Sequence, residues 1–237
     1  MLKKKIKLYK IITYIISITF ILSALLASVQ YWCFNENFYT KEHNSVLLNN
    51  QHISEYIGID DMQLKDLTSF TLDYLNDSDA SLDKEMIIKG ELREVYTNDE
   101  KAHMVDVRRL NISSIYVLLI SFIIFLASII WYFYNNNGYR FLFNSYIIVL
   151  IVTIVLFGII GIWIVIDFDS FWTLFHKIFF TGNDLWLLDL RTNILIMIVP
   201  PEFFNHLVIR IVITFIVVIL LFGLFLYYLS NRKKVND

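Results

Sequence analysis

At 237 residues, 57% of them hydrophobic, with a mean hydropathy of +0.59 and a formal net charge of −2, the chain is too apolar for an ordinary water-soluble domain. It is long enough for several membrane crossings plus one small folded lobe. A balance this near neutral gives no reason to expect a nucleic-acid partner, and a single cysteine, Cys33, excludes an intramolecular disulfide or a cysteine-based zinc site.

Residues 1–10 form a basic N-terminus with Lys3, Lys4, Lys5, Lys7 and Lys10. Residues 11–34 form the first apolar run, long enough as a helix to cross a hydrocarbon core of roughly 30 Å. Lysines followed by an apolar run with Ala24 and Ala27 also describe a signal peptide. The run is longer than a usual h-region and ends in aromatics, so an uncleaved anchor is expected, and Gln30-Tyr31-Trp32 before Cys33 is not a lipidation box.

Residues 35–111 carry 16 acidic and 8 basic side chains and are expected to form a small, mainly helical lobe. Leu64, Leu67, Thr71, Tyr74 and Leu75 fall near one face of a helix over 61–76, with aspartates ahead of it as caps. Gly90 interrupts the pattern between Glu85 and Tyr96, which predicts a turn or small hairpin. A lobe of about 75 residues with few aromatics is expected to lean on the membrane helices for part of its core. Thr97 followed by Glu100 has capping-box spacing and predicts a helix running from Thr97 toward the second span.

The second span covers 112–134, the short loop 135–144 contains Arg140, and the third span covers 145–166. Residues 167–206 form a net acidic, aromatic-rich interfacial loop, 207–230 the fourth span with Arg210 near its start, and 231–237 a tail with Arg232, Lys233 and Lys234. The basic residues place 1–10, 135–144 and 231–237 in the cytoplasm and both longer loops outside; a cysteine at Asp79 would report that side. The expected fold is an all-α integral membrane protein: four transmembrane helices, an extracellular lobe between helices 1 and 2, and an aromatic interfacial loop between helices 3 and 4.

On the predicted helix after Thr97, one face carries Glu100, His103, Asp106, Val107 and Leu110, a histidine flanked by two carboxylates. Nine residues before Ile112, His103 would sit about 13 Å above the hydrocarbon edge, at headgroup depth. His176, in Phe171-Trp172-Thr173-Leu174-Phe175-His176-Lys177, suits the same level of the interfacial belt, so two histidines from separate loops can meet there. The plain alternative is that each is a hydrogen-bonded interfacial anchor. His43, His52 and His206 lack a comparable acidic or aromatic setting in the sequence.

EKAHMVDV at residues 100–107, and FHKIFF followed by GNDLW, LD and PPEFF, resemble the two signature blocks of the bacterial lipoprotein intramolecular transacylase family. Tyr56-Ile57-Gly58 and Leu72-Asp73-Tyr74-Leu75 are similar to its weaker external pattern. The resemblance spans most of the chain, with small departures at Leu185 and before Trp186. It implies an acyltransferase that moves the sn-2 acyl chain of a diacylglyceryl-cysteine to that cysteine's α-amine, giving a lyso-form lipoprotein. Its substrates would be diacylated bacterial lipoproteins and its place the bacterial cell membrane, with the site facing outward and His103 and His176 as the catalytic pair.

The residue types suit that chemistry. An α-amine with a pKa near 8 must lose a proton to attack an ester, and a histidine can take it and return one to the departing glycerol oxygen. A second histidine or a basic group can hold the oxyanion. Ester and amine belong to one molecule and the amide is the more stable product, so no covalent enzyme intermediate, metal, ATP or other cofactor is expected. Trp186 and the aromatics near His176 are candidates for a wall against water. The apolar run over 193–199, too short to span and ended by Pro200 and Pro201, is expected to dip into the headgroups.

Asp106 can orient His103 from one turn away or pair with Arg108 or Arg109. Asp189 and Glu202 can orient a histidine or cap local structure. Other classes remain: a non-enzymatic membrane sensor or chaperone using the acidic lobe, or a metal-dependent membrane hydrolase using His103, His176 and Asp106, although no HExxH-like pair occurs. With only Arg210 charged inside the spans, a transporter is disfavoured.

Overall fold

The computed structural model describes residues 2–77, 80–135 and 138–232, with the side chains of residues 2–6 and 232 excepted. Asp79, Lys233 and Lys234, and the side chains of Lys3, Lys4, Lys5 and Arg232, lie outside that description. In chain order the elements are α1 (Leu2–Cys33), α2 (Glu36–Ser45), β1 (Leu47–Leu48), β2 (Gln51–His52), α3 (Ile53–Ile57), α4 (Asp61–Asn76), β3 (Glu85–Ile88), β4 (Glu91–Glu94), α5 (Asn98–Tyr134), α6 (Tyr139–Ile166), α7 (Phe168–Phe179), α8 (Ile194–Ile198) and α9 (Pro201–Arg232). They divide between two compact units.

The first unit takes residues 1–30, 115–168 and 211–237. It contains most of α1, α5, α6 and α9, the four helices long and apolar enough to cross a membrane. Its core gathers Ile16, Phe125, Tyr132, Tyr146, Phe215, Ile219 and Leu226, with Phe20 stacked on Phe222 at 3.8 Å. Hydroxyls buried among these apolar helices find partners in each other: Thr13 with Ser145 and Ser23 with Ser121, both at 2.8 Å, while Tyr146 donates to the Ile219 carbonyl at 2.5 Å. In hydrocarbon such pairing avoids unsatisfied polar groups. Gly223 lets Tyr146 approach, since a Cβ there would lie 3.2 Å from the ring. Large apolar side chains such as Ile120, Ile123, Ile159 and Ile162 face outward, as lipid-facing positions should.

The second unit takes residues 31–114 and 169–210. Asp60 caps α4 with a full capping box, its carboxylate accepting from the Gln63 N–H at 2.8 Å and Gln63 returning to the Asp60 N–H at 3.0 Å. Leu64, Leu67, Thr68, Leu72 and Tyr74 are the face it buries. β3 and β4 pair antiparallel through Lys89 and Gly90, both at positive φ, the backbone that a two-residue hairpin needs. Gly58 closes α3 in the left-handed conformation, and its carbonyl accepts from Lys89 N–H at 3.0 Å. A side chain at Gly58 would collide with Lys89 Cγ.

Two expectations change here. The core of this unit is completed by the second loop: Ile194, Leu195, Met197 and Ile198 of α8 pack with Ile53, Leu67, Tyr74, Ile88 and Tyr96. The short apolar run is therefore packed as protein core, where it was expected to be presented to the headgroups; four residues 1–6% exposed gain more from a preformed apolar cavity than from the wet interface. The 167–206 segment is also not wholly a loop, because it holds α7 and α8. Pro201 opens α9, at the position where a helix tolerates proline's missing N–H.

Candidate active site

The start of α5 fixes the first histidine. Thr97 N–H donates to Glu100 Oε2 at 2.7 Å, and Glu100 N–H returns to Thr97 Oγ1 at 3.3 Å, the reciprocal pair of a capping box. Glu100 Oε1 meanwhile accepts from the Leu195 N–H at 2.8 Å. This fully buried carboxylate therefore ties the helix of His103 to α8, and it makes no bond to the imidazole.

His103 follows one turn later and is 7% exposed. Its ring lies 6.1 Å from that of His176 and 5.1 Å, edge on, from Phe180. Nδ1 is buried and has no hydrogen-bond partner among the described residues. Asp106 does not supply one: its Oδ1 accepts from Arg109 at 3.0 Å and its Oδ2 from Asn183 Nδ2 at 3.1 Å. Arg108 instead lies over the Tyr74 ring and donates to the Ala80 carbonyl.

His176 lies in the last turn of α7, whose aromatic side chains Trp172, Phe175 and Phe179 recur at helical spacing around it. Its Nδ1 lies 2.8 Å from the Trp172 carbonyl oxygen. A carbonyl only accepts, so Nδ1 carries the proton, and in the neutral ring the lone pair is on Nε2. Trp186 stacks on the imidazole at 4.9 Å, while Trp172 and Phe180 approach at 4.6 and 5.4 Å. Trp172 in turn rests on Phe204 of α9 at 4.4 Å.

Burial pushes both histidines down from their ordinary range. For His103 the neighbouring His176 adds to the effect and Asp106 opposes it, leaving a pKa of about 4. For His176 the bond to the Trp172 carbonyl opposes burial without cancelling it. In both rings burial therefore favours the neutral imidazole over the charged form.

Of the remaining sequence candidates, Asp189 is held by Arg191, which donates from Nε and Nη2, and by the Arg191 N–H; the pairing keeps its carboxyl near 2. Its own N–H donates to Asn193 Oδ1, so it shapes the turn before α8. Glu202 is exposed in the first turn of α9. Trp172, expected from the sequence as one of the interfacial aromatics near His176, does pack on that ring; Phe180 and Asn183 have no role of their own in the sequence reading, although Phe180 is readable as the fourth residue after His176 on one helical face.

The settings of His43 and His206 differ from the sequence expectation. His206 Nδ1 lies 2.6 Å from the buried Glu42 carboxylate. His43 packs among Tyr39 and Phe203, with Nε2 3.0 Å from the Ile198 carbonyl. Partners 155 and 164 residues apart leave no local signal. Among the described residues no group of three His, Cys, Asp or Glu side chains is placed to hold a metal ion.

The profile of the family described as lipoprotein intramolecular transacylase Lit matches residues 14–204. In meso structures of the membrane integral lipoprotein intramolecular transacylase Lit from Bacillus cereus share the fold. One has a TM-score of 0.80 at 21% identity, covering 98% of this chain and 99% of that one. Forms in which one histidine is replaced by arginine or by alanine give TM-scores of 0.76 and 0.78 at 20% and 22% identity, covering 100% and 99% of this chain and 98% and 99% of those chains. No curated protein sequence matches the chain. A profile match over most of the sequence, on a four-helix membrane fold with its two signature histidines side by side, leads to one assignment: the chain belongs to the lipoprotein intramolecular transacylase (Lit) family.

Proposed function

We propose that this membrane acyltransferase moves the sn-2 acyl chain of a lipoprotein's diacylglyceryl-cysteine to the cysteine α-amine at the outer membrane surface, with His176 as the base and His103 as the oxyanion donor. The observation that carries the reading is the Trp172 carbonyl on His176 Nδ1. It leaves Nε2 as an acceptor in a site already pressed toward neutrality by burial.

The α-amine gives its proton to His176 Nε2 as nitrogen attacks the ester carbonyl carbon. The tetrahedral oxyanion collapses, the bond from carbonyl carbon to the sn-2 oxygen breaks, and the proton returns to that oxygen, leaving an amide and a glycerol hydroxyl. His103 has one N–H to place. Its buried Nδ1 finds no acceptor, and orphaned buried N–H groups are the rarest kind, so the proton belongs on Nε2, from which it can donate to the oxyanion. Trp172, Phe180 and Trp186 crowd the pair and keep out the water that would hydrolyse the ester.

The reaction requires no cofactor, and the partners are diacylated bacterial lipoproteins and the lipids around them. Mass spectrometry of a resident lipoprotein's N-terminal peptide tests it. With the protein present, one acyl chain is on the amine and the glycerol is monoacylated; without it, the amine is not acylated by this route. An identical peptide in both strains would overturn the proposal.

A further inference from the structure

The chain between α7 and Trp186 encloses an open cleft of about 350 Å³, at the small end of ligand-sized sites. Two of its walls, Phe180 and Trp186, are rings that also pack on the histidines. The cleft therefore begins where the reacting atoms end.

Its other walls have a different character. Lys177, Thr181, Asn183 and Asp184 line it, with Lys177 and Asp184 exposed. A hydrocarbon tail laid here would strip water from an ammonium and a carboxylate and return nothing. Gly182 stands at φ +97° with open space where a Cβ would be, the condition under which another backbone can approach closely. The cleft is also anchored: Asn183 donates to Asp106 Oδ2 and its own Oδ1 accepts from Leu185 N–H at 3.1 Å, fixing it to the helix that carries His103.

Three kinds of chain leave the reacting centre of a diacylglyceryl-cysteine: acyl tails, glycerol and peptide. Only the peptide suits polar, charged walls and a bare glycine backbone. We infer that this cleft receives the first about two or three residues after the substrate cysteine in extended form, and that Lys177 and Asp184 read their charge. The inference rests on the transacylase reading above.

The test uses the purified full-length protein in lipid nanodiscs and synthetic diacylglyceryl-cysteine lipopeptides: the cysteine amide alone, and tetrapeptides with neutral, acidic or basic residues after the cysteine. Extending the amide to a tetrapeptide lowers KM. Lys177→Glu lowers the acidic-to-basic ratio of kcat/KM by about fivefold and Asp184→Lys raises it by a similar factor, the worth of one exposed charge contact. Lys41→Glu, on the exposed face of α2, leaves the ratio alone. Wild-type turnover indifferent to peptide length and charge, or variants that lose rate equally on every substrate, would overturn the inference while sparing the transacylase reading. No acyl migration on any lipopeptide would sink both.

Discussion

His103 and His176 lie side by side, but their surroundings are unequal, and the inequality sets what each can do. His176 has a backbone carbonyl on Nδ1 and His103 has nothing on its buried Nδ1. His103→Ala and His176→Ala are each expected to abolish acyl migration, with a loss of at least 10²-fold, while the proteins still insert and fold; an active, well-expressed His176→Ala would remove the base. The pH dependence follows from the same burial. A base must be unprotonated, and His176 is held below the ordinary histidine value of 6.5. The acid limb of kcat should therefore lie below pH 6.5, with the rate kept down to that pH and lost as pH falls further. Asp106 provides a sharper check. Bonded to Arg109 and Asn183, it steadies the Trp186 loop, so Asp106→Asn should slow turnover a few-fold and leave the acid limb where it is. A moved limb would show that Asp106 acts on the base. The histidine pair was legible in the sequence because each sits in a compact motif. The proposed division of roles was not, since it depends on a carbonyl oxygen, and carbonyls look alike in every sequence.

Between α5 and α8 runs the contact that assembles the site, and it passes through Glu100. One carboxylate accepts the Thr97 and Leu195 N–H groups, joining a helix start to a segment 95 residues away. Glu100→Ala leaves the Leu195 N–H buried without an acceptor and removes the cap from the start of α5, at a cost of about 3 kcal/mol. Thermal unfolding in detergent should show the midpoint several degrees lower, and an unchanged midpoint would mean the bridge contributes nothing. Elements whose signals are local could be read in advance: α4 from its apolar spacing and the aspartate ahead of it, the hairpin from Gly90, the start of α5 from Thr97 and Glu100. Elements whose meaning is set at a distance could not. The ILIMI sequence of α8 reads equally well as membrane dip or protein core, and only the groove formed by Ile53, Leu67 and Tyr96 decides. For α2 the reason is different, because it buries Glu42 and His43 beside Phe38 and Tyr39; periodicity counts apolar residues, so a face satisfied by His206 and the Ile198 carbonyl escapes it.

For the whole molecule the open question is which side of the membrane the site faces. Residues 31–114 and 169–210 belong to one compact unit, so the two long loops must share a side. Four helices long and apolar enough to cross would then put both chain ends and the connection from α5 to the start of α6 on the other. Charge selects between the two orientations. Lys3, Lys4, Lys5, Lys7 and Lys10, then Arg140, then Arg232, Lys233 and Lys234 all fall on the terminal side, while residues 35–111 carry 16 acidic against 8 basic side chains. Positive residues in short segments near the spans are retained in the cytoplasm, so the site should open outward, where lipid-anchored substrates reside. Single cysteines in a Cys33→Ser background decide it. Glu91→Cys, on the exposed strand β4, should react with a membrane-impermeant maleimide on intact cells, and Arg140→Cys, exposed near the start of α6, only after the membrane is opened. The reverse pattern would place His103 and His176 in the cytoplasm, away from any lipoprotein already carried across. A transacylase acting on mature lipoproteins would then be ruled out on topology alone, whatever the geometry of its histidines.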